Sequence, residues 1–186
     1  FLMLSNGTEA KVGTLGSKYE FFHEWKRLEE ADEGSVALET MLLGICKKEN
    51  FLDLFENFIL FDHSGGHTAK ILARNHQYLG VNEAVESYKA RKFKNGKLGV
   101  FWHTQGSGKS YSMVFLAQKI RRKFEGSPTF VILTDRDELN KQIEEAGGVG
   151  LKLNPETGEV TDDKAKNEND LTTAINKATV GINALS

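Results

Sequence analysis

Gly99-Val100-Phe101-Trp102-His103-Thr104-Gln105-Gly106-Ser107-Gly108-Lys109-Ser110 is the stretch on which the chain turns. An apolar, aromatic run stops at Thr104, a glycine-bracketed turn follows, and Lys-Ser opens an amphipathic segment. Strand, tight turn and helix start, in that order, are the layout of a phosphate-binding loop. Glycines let the backbone approach a phosphate closely, and the unpaired N–H groups of a helix start point at it. Lys109 brings a mobile positive charge to the outer phosphates, and Ser110 a hydroxyl for the Mg²⁺ that travels with them. The general pattern has Gly where this chain has His103, while the core from Gly106 to Ser110 is intact.

Outward from the loop, Leu98 to His103 reads as the strand that delivers it. The spacing predicts a helix from about Lys109 to Phe124, with Met113, Ala117, Ile120 and Phe124 on one apolar face. Lys119, Arg121, Arg122 and Lys123 fill its last turns, where cations complement the helix dipole. Gly126 and Pro128 stop it. Phe130-Val131-Ile132-Leu133 reads as a second buried parallel strand, so that strand, helix and strand form one βαβ unit. Asp135 with Glu138 resembles a capping box opening a further helix.

Upstream, Phe1–Leu4 and Ala10–Leu15 read as a strand pair around the hairpin signal Asn6-Gly7. Ser35 to Lys47 reads as a helix capped by Ser35, with Cys46 in the core, and Asn50 as the cap of a short second helix. Phe58-Ile59-Leu60-Phe61 reads as a buried strand. Thr68 to Lys92 is the longest helical stretch: Ile71, Tyr78 and Val85 repeat at seven, and Gly80 interrupts at a cost of about 1 kcal/mol against Ala. Within it, Arg74-Asn75-His76-Gln77-Tyr78 holds a glutamine whose amide, donor and acceptor together, can read an adenine edge. Lys89, Arg91, Lys92, Lys94 and Lys97 form a basic run, read as a solvated helix end, with a phosphate-backbone contact as the sharper alternative.

Other constellations carry less. Glu24-Trp25-Lys26 has the spacing used by metal-dependent nucleases, but no Asp precedes it, so an ordinary charge pair beside a buried Trp is the reading. His63 and His67 lie in a Gly-rich turn without a third ligand. After Gly150 the pattern weakens: Asn154 to Asp170 is acidic, nearly free of apolar residues and reads as an exposed loop, and Leu171 to Ala178 as a last short helix. The 186 residues carry a net charge of -2, which excludes a global basic bias toward nucleic acid. A single cysteine rules out an internal disulfide and fits a reducing compartment. No apolar run approaches the ~20 residues of a membrane span.

Three pieces fall into one order: Gln77 in Arg-Asn-His-Gln-Tyr, then His103 to Ser110, then Phe130 to Leu139 with Thr134-Asp135-Arg136. This resembles the opening of the motor in superfamily-two helicases and translocases. More narrowly, it is similar to the R subunit (HsdR) of type I restriction enzymes, in which Trp-His precedes Thr-Gln-Gly-Ser-Gly-Lys-Ser, as at Trp102 to Ser110. His-Gln-Tyr at 76–78, Thr-Asp-Arg-x-x-Leu at 134–139, and Ser-Asn-Gly-Thr-Glu-Ala with Val12-Gly13-Thr14 also match, and the resemblance covers roughly residues 1 to 145.

The resemblance implies an α/β fold: part of a RecA-like motor domain, a parallel sheet with flanking helices, after a mixed α+β segment. Residues 1–62 would end the nuclease domain and form a helical connector, 63–150 would begin the ATPase domain, and 151–186 would be an acidic loop and tail. It implies ATP and Mg²⁺ as cofactors, double-stranded DNA and the methyltransferase and specificity subunits as partners, no membrane, and a cytoplasmic location. Gln77 would recognise adenine; Thr104, Gln105, Gly106, Ser107, Gly108, Lys109 and Ser110 would hold the phosphates, with Ser110 on Mg²⁺. Thr134, Asp135 and Arg136 would lie near the DNA backbone. The family's nuclease residues belong upstream of Phe1 and its second acidic motor motif downstream, so no catalytic residue is expected here. The isolated chain is expected to bind ATP weakly and turn it over little. Another superfamily-two motor, or a nucleotide-binding module without turnover, is the alternative; a small-molecule kinase would need acceptor and lid residues that the acidic tail does not offer.

Overall fold

Asn6-Gly7 turns the chain back on itself, with Gly7 at φ +95° as such a turn demands. The Asn6 side chain accepts the backbone N–H groups of Thr8 and Glu9 and closes the turn. Strands β1 (Leu2–Ser5) and β2 (Ala10–Gly13) pair antiparallel on either side of it. The computed structural model describes residues 1–34, 38–62, 68–126, 128 and 130, and the backbone of 151–153 and 160–162. Two compact units divide the chain, residues 1–120 and 121–186.

In the first unit, a short 3₁₀ turn (Tyr19–Phe21) follows β2, and His23 bridges back to Val12. Trp25 is then fully buried, while Glu24 and Lys26 pair at 2.8 Å on its flanks, as an ordinary charge pair would. Helix α1 (Leu38–Cys46) puts Gly44 against that indole: a Cβ there would lie 2.1 Å from Trp25 Nε1. Cys46 falls on the outer face and is exposed, which corrects its expected place in the core. The expected cap Ser35 lies outside the described residues. Helix α2 (Lys48–Asn57) begins two residues before Asn50, whose amide donates to Gly44 O and so ties α2 to α1 instead of capping it.

Strand β3 (Ile59–Asp62) falls one residue along from the predicted run and is half-buried, with Phe61 exposed, which corrects the expected buried strand. Its partner was not foreseen. Ala69–Leu72 is strand β4, antiparallel to β3, where the seven-residue repeat had predicted helix. A pair such as Ile71-Leu72 satisfies both periodicities, and the cross-strand ladder to Ile59 and Leu60 decides for strand. Thr14 Oγ donates to Lys70 O at 2.7 Å and joins the two hairpins. Helix α3 (Asn75–Lys89) therefore starts at Asn75. Its Gly80 is a notch for an aromatic ring: a Cβ would meet Phe101 at 2.6 Å. Beyond α3 the basic run is a 3₁₀ turn (Arg91–Lys94) in which Lys89 pairs with Glu86, Lys94 with the Ser87 hydroxyl, and Arg91 stacks on Tyr88. Those local partners match the solvated helix end.

Leu98 to His103 runs without a ladder partner among the described residues, so the predicted strand is not formed there, and the three sheets described are antiparallel pairs. A parallel strand needs a neighbour at ladder distance. The predicted neighbour, Phe130 to Leu133, falls almost wholly outside the described residues. The fold is thus mixed α and β, and a parallel sheet is not among its described parts.

Helix α4 (Lys109–Lys123) agrees with its predicted bounds. Its buried residues are Ser112, Phe115, Lys119 and Ile120; of the predicted stripe Ile120 is buried, while Met113, Ala117 and Phe124 are half-buried. Phe115, Phe58, Tyr78 and Trp25 form the aromatic centre, with ring centroids 4.8–5.6 Å apart along the series. Lys119, grouped by the sequence with the cations that complement the helix dipole, is almost fully buried. Its ammonium donates to Asp53 of α2 at 2.5 and 2.7 Å and to Asn82 Oδ1 of α3, and lies over the Phe58 ring. Burial, and then the Asp53 carboxylate, push the neighbouring Tyr78 hydroxyl up to about 12. The core thus draws on α1, α2, α3 and α4 and crosses residue 62.

In the second unit, β5 (Leu151–Leu153) and β6 (Val160–Asp162) pair antiparallel. The expected exposed loop from Asn154 to Asp170 thus contains a strand at Val160–Asp162.

Candidate functional site: a phosphate loop clasped by the helix before it

The loop is set by its ends. Gly108 begins α4: its carbonyl accepts the Ser112 N–H at 3.2 Å, the first bond of the helix. Gly106 and Gly108 have φ +76° and +82°, a left-handed conformation that side chains resist. Ser107 N–H donates to Thr104 O at 3.3 Å and tightens the turn. Thr104, Gln105 and Gly106 are exposed, and Ser110 is half-buried in the first turn of α4.

Lys109 folds back over the turn. Its ammonium donates to His103 O at 2.7 Å and Thr104 O at 3.0 Å. Both bonds are exposed, and a polyanion offers a stronger, charge-assisted partner than a carbonyl does.

Helix α3 meets the loop from the other side. Arg74 is a poor N-cap, and Gln77 makes good the deficit: its Oε1 accepts the Arg74 N–H at 2.8 Å. That fixes the amide orientation and aims Nε2 at the loop, where it donates to Gly108 O at 2.9 Å. Gln77 is 3% exposed, so both ends of its amide are engaged within the protein. His76 Nε2 lies 3.0 Å from Ser107 O; a carbonyl only accepts, so Nε2 carries the proton. The His76 ring meets His103 edge-on at 4.9 Å, and His103 rests on Phe101 at 4.4 Å. Burial first, and then His76, hold His103 below the ordinary histidine range; Glu30 opposes them, and Lys109 adds the smallest push downward.

An open cleft of about 700 Å³ lies beside the loop. Arg74, His76, His103 and Ser107 line it together with Lys11, His23, Lys26 and Arg27, and Glu20, Glu24 and Glu30 add carboxylates to the same lining. Asn75 joins the walls: its Oδ1 accepts the Lys26 and Arg27 N–H groups and its Nδ2 donates to Arg27 O. Burial pushes His23 down to about 4.

The residues fit a phosphate-bearing nucleotide. Gly108 leaves no room for a side chain, since a Cβ would sit 2.6 Å from Gln77 Nε2. Ser107 Oγ and His103 Nδ1 are buried with no hydrogen-bond partner among the described residues, orphan polar atoms on the loop itself. The groups present are backbone donors, a hydroxyl and an ammonium, all suited to an anion. No cluster of three metal-ligating side chains occurs among the described residues. The structure brings the Gln77 amide against Ser107 O and Gly108 O of the loop. Thr134, Asp135 and Arg136 lie outside the described residues. The hydrogen bonds of His76 and Asn75 and the Gly80–Phe101 notch join residues 20 or more positions apart, and no local pattern marks those partners.

Comparisons with known proteins agree with this geometry. The SWI2/SNF2 ATPase family model matches residues 76–184, a span that opens at His76 and includes the loop. The chain is 37% identical over 172 residues to the type I restriction enzyme HindI endonuclease subunit of Haemophilus influenzae, covering 88% of this chain and 16% of that relative. It is 31% identical over 167 residues to a Methanocaldococcus jannaschii protein assigned as the endonuclease subunit of the type I enzyme MjaIXP, covering 76% of this chain and 16% of that one. The chain thus spans about one sixth of the length of the relatives it matches. With the loop, its clasp and its relatives in accord, the likeness to type I restriction endonuclease subunits holds, and the chain belongs to the SWI2/SNF2 ATPase family.

Proposed function

We propose that this chain carries the ATP-binding end of the motor in the R subunit of a type I restriction endonuclease, where ATP-driven translocation of double-stranded DNA is coupled to cleavage. The observation that carries the reading is the loop: a Gly-bracketed helix start with Lys109 folded over it. Thr104 to Gly108 supply backbone donors to the triphosphate, Lys109 neutralises its outer charge, and Ser110 ligates Mg²⁺. Bound Mg·ATP supplies a phosphoanhydride whose hydrolysis drives the motor. Gln77 borders the base side, and Thr134 to Arg136 face the DNA backbone. Leu98–His103, unpaired among the described residues, and Phe130–Leu133 would become neighbours in the parallel sheet of a RecA-like domain. Methyltransferase and specificity subunits are its partners, in the cytoplasm. The relatives' names favour this motor over others of its class.

The test is Lys109→Ala in the full-length protein. ATP hydrolysis, translocation and cleavage distant from the recognition site are expected to fall together. Hydrolysis at the wild-type rate would overturn the proposal.

A further inference from the structure

We propose that His76 is a positioning residue of the phosphate loop: it holds the Ser107 carbonyl and thereby aims the next amide at the phosphates. The inference rests on the ATP-site reading above and assigns that site a part it did not have.

The argument is one of peptide geometry. No peptide bond described is cis, so in each peptide unit the C=O and the following N–H point in opposite directions. His76 holds Ser107 O at 3.0 Å, which turns the Gly108 N–H to the far side, away from α3. Gln77 holds Gly108 O at 2.9 Å and turns the Lys109 N–H the same way. Gly108 O is also the first acceptor of α4, from the Ser112 N–H, so helix and Gln77 together set the Lys109 N–H, whereas Ser107 O is held by His76 at 3.0 Å, with Gln77 Nε2 only at 3.5 Å. None of these bonds involves the base of a nucleotide.

Gly108, at φ +82°, sits between the two peptides and has wide conformational freedom of its own. Without an external hold, the Ser107–Gly108 peptide is free to flip and present its carbonyl to an anion. His76 is braced for the task. Its ring abuts His103, His103 rests on Phe101, and Phe101 seats in the Gly80 notch one turn further along α3. The helix therefore grips the loop directly and, through Phe101, the segment that leads into it.

The role is separable from adenine reading. A carbonyl clamp serves any ligand with a triphosphate, whereas a base contact serves ATP alone. Binding of Mg·ATP and of inorganic triphosphate with Mg²⁺ is measured on the full-length protein and on His76→Ala, His76→Gln and Lys109→Ala. His76→Ala is expected to weaken both ligands by the same factor, about tenfold for a bond of roughly this kind. His76→Gln is expected to restore both, because its amide nitrogen reaches where the imidazole Nε2 does. Thermal denaturation of each variant separates a misplaced loop from an unfolded protein.

Wild-type affinity of His76→Ala for both ligands, with Lys109→Ala impaired, overturns the clamp and leaves the ATP site standing. Loss confined to Mg·ATP also overturns it, since His76 would then act through the base. Failure of His76→Gln to recover any binding, with the fold intact, does the same. Unimpaired binding by Lys109→Ala sinks the site reading itself.

Discussion

Lys109 and Lys119 stand ten residues apart on one helix and meet opposite conditions. Lys109 is exposed and rests on two carbonyls, partners that carry no charge. Lys119 is sealed among α2, α3 and α4, with a carboxylate and an amide on its ammonium. A buried ammonium has lost its water and depends on its partners; an exposed one holds them loosely and can exchange them. One end of α4 is thus built to stay and the other to respond. The same side chain serves both ends because burial, and not residue type, sets how firmly a charge is committed.

That contrast can be broken at the fixed end first. Asp53→Ala leaves the Lys119 ammonium buried without its counter-charge and is expected to cost about 3–5 kcal/mol in urea denaturation. Asp53→Leu with Lys119→Met removes both charges and is expected to recover most of that loss. A double variant as unstable as the single would show that the pair itself, and not the stranded charge, matters.

At the responsive end, Lys109→Ala is expected to lower ATP turnover on the order of 10²-fold, roughly 3 kcal/mol of transition-state stabilisation. Stability should stay within about 0.5 kcal/mol of wild type, since the side chain is exposed. Equal losses of stability at Lys109 and Lys119 would erase the comparison.

The cleft wall offers a smaller test of the same principle. His23 is held neutral by burial, with its value down from 6.5 to about 4. The unfolded chain takes up a proton below about 6.5 and the folded one does not until about 4. Stability is therefore full above 6.5 and falls as the pH drops through that window, by up to about 2 kcal/mol after screening of a partly exposed ring. His23→Phe should flatten the decline seen in denaturation at pH 7 and pH 4.5. Gly44→Ala places a methyl 2.1 Å from Nε1 of a buried indole, that of Trp25, which has no room to move. Overpacking then costs about 3 kcal/mol, of which better helix propensity returns up to about 1, for a net loss near 2 kcal/mol.

What the sequence disclosed follows from how local each signal is. Asn6-Gly7 and the Gly106 to Ser110 turn specify their own backbones, and both appear where they were predicted. The bounds of α4 are marked by the glycines at either side. The character of Lys119 is not local at all: its partners lie 66 and 37 residues away, so in the sequence it is one more cation at a helix C-terminus. Ile71 and Leu72 fitted a helical repeat as well as a strand, and only the ladder to β3 separates the two. Gln77 was picked out for the chemistry of its amide; that the amide would spend both ends on the Arg74 cap and the loop depends on where α3 begins. Cys46 sits in an apolar run, yet the helix turns it outward.

The two tryptophans of the chain divide in the same manner as the two lysines. Trp25 is 1% exposed against α1, while Trp102 is 86% exposed one residue before His103. An iodide or acrylamide quencher will therefore reach one indole and spare the other. The emission that remains at high quencher comes from the core, and the quenched fraction comes from the approach to the phosphate loop. The chain thus carries an intrinsic optical probe of its own loop, with an internal standard for the fold beside it.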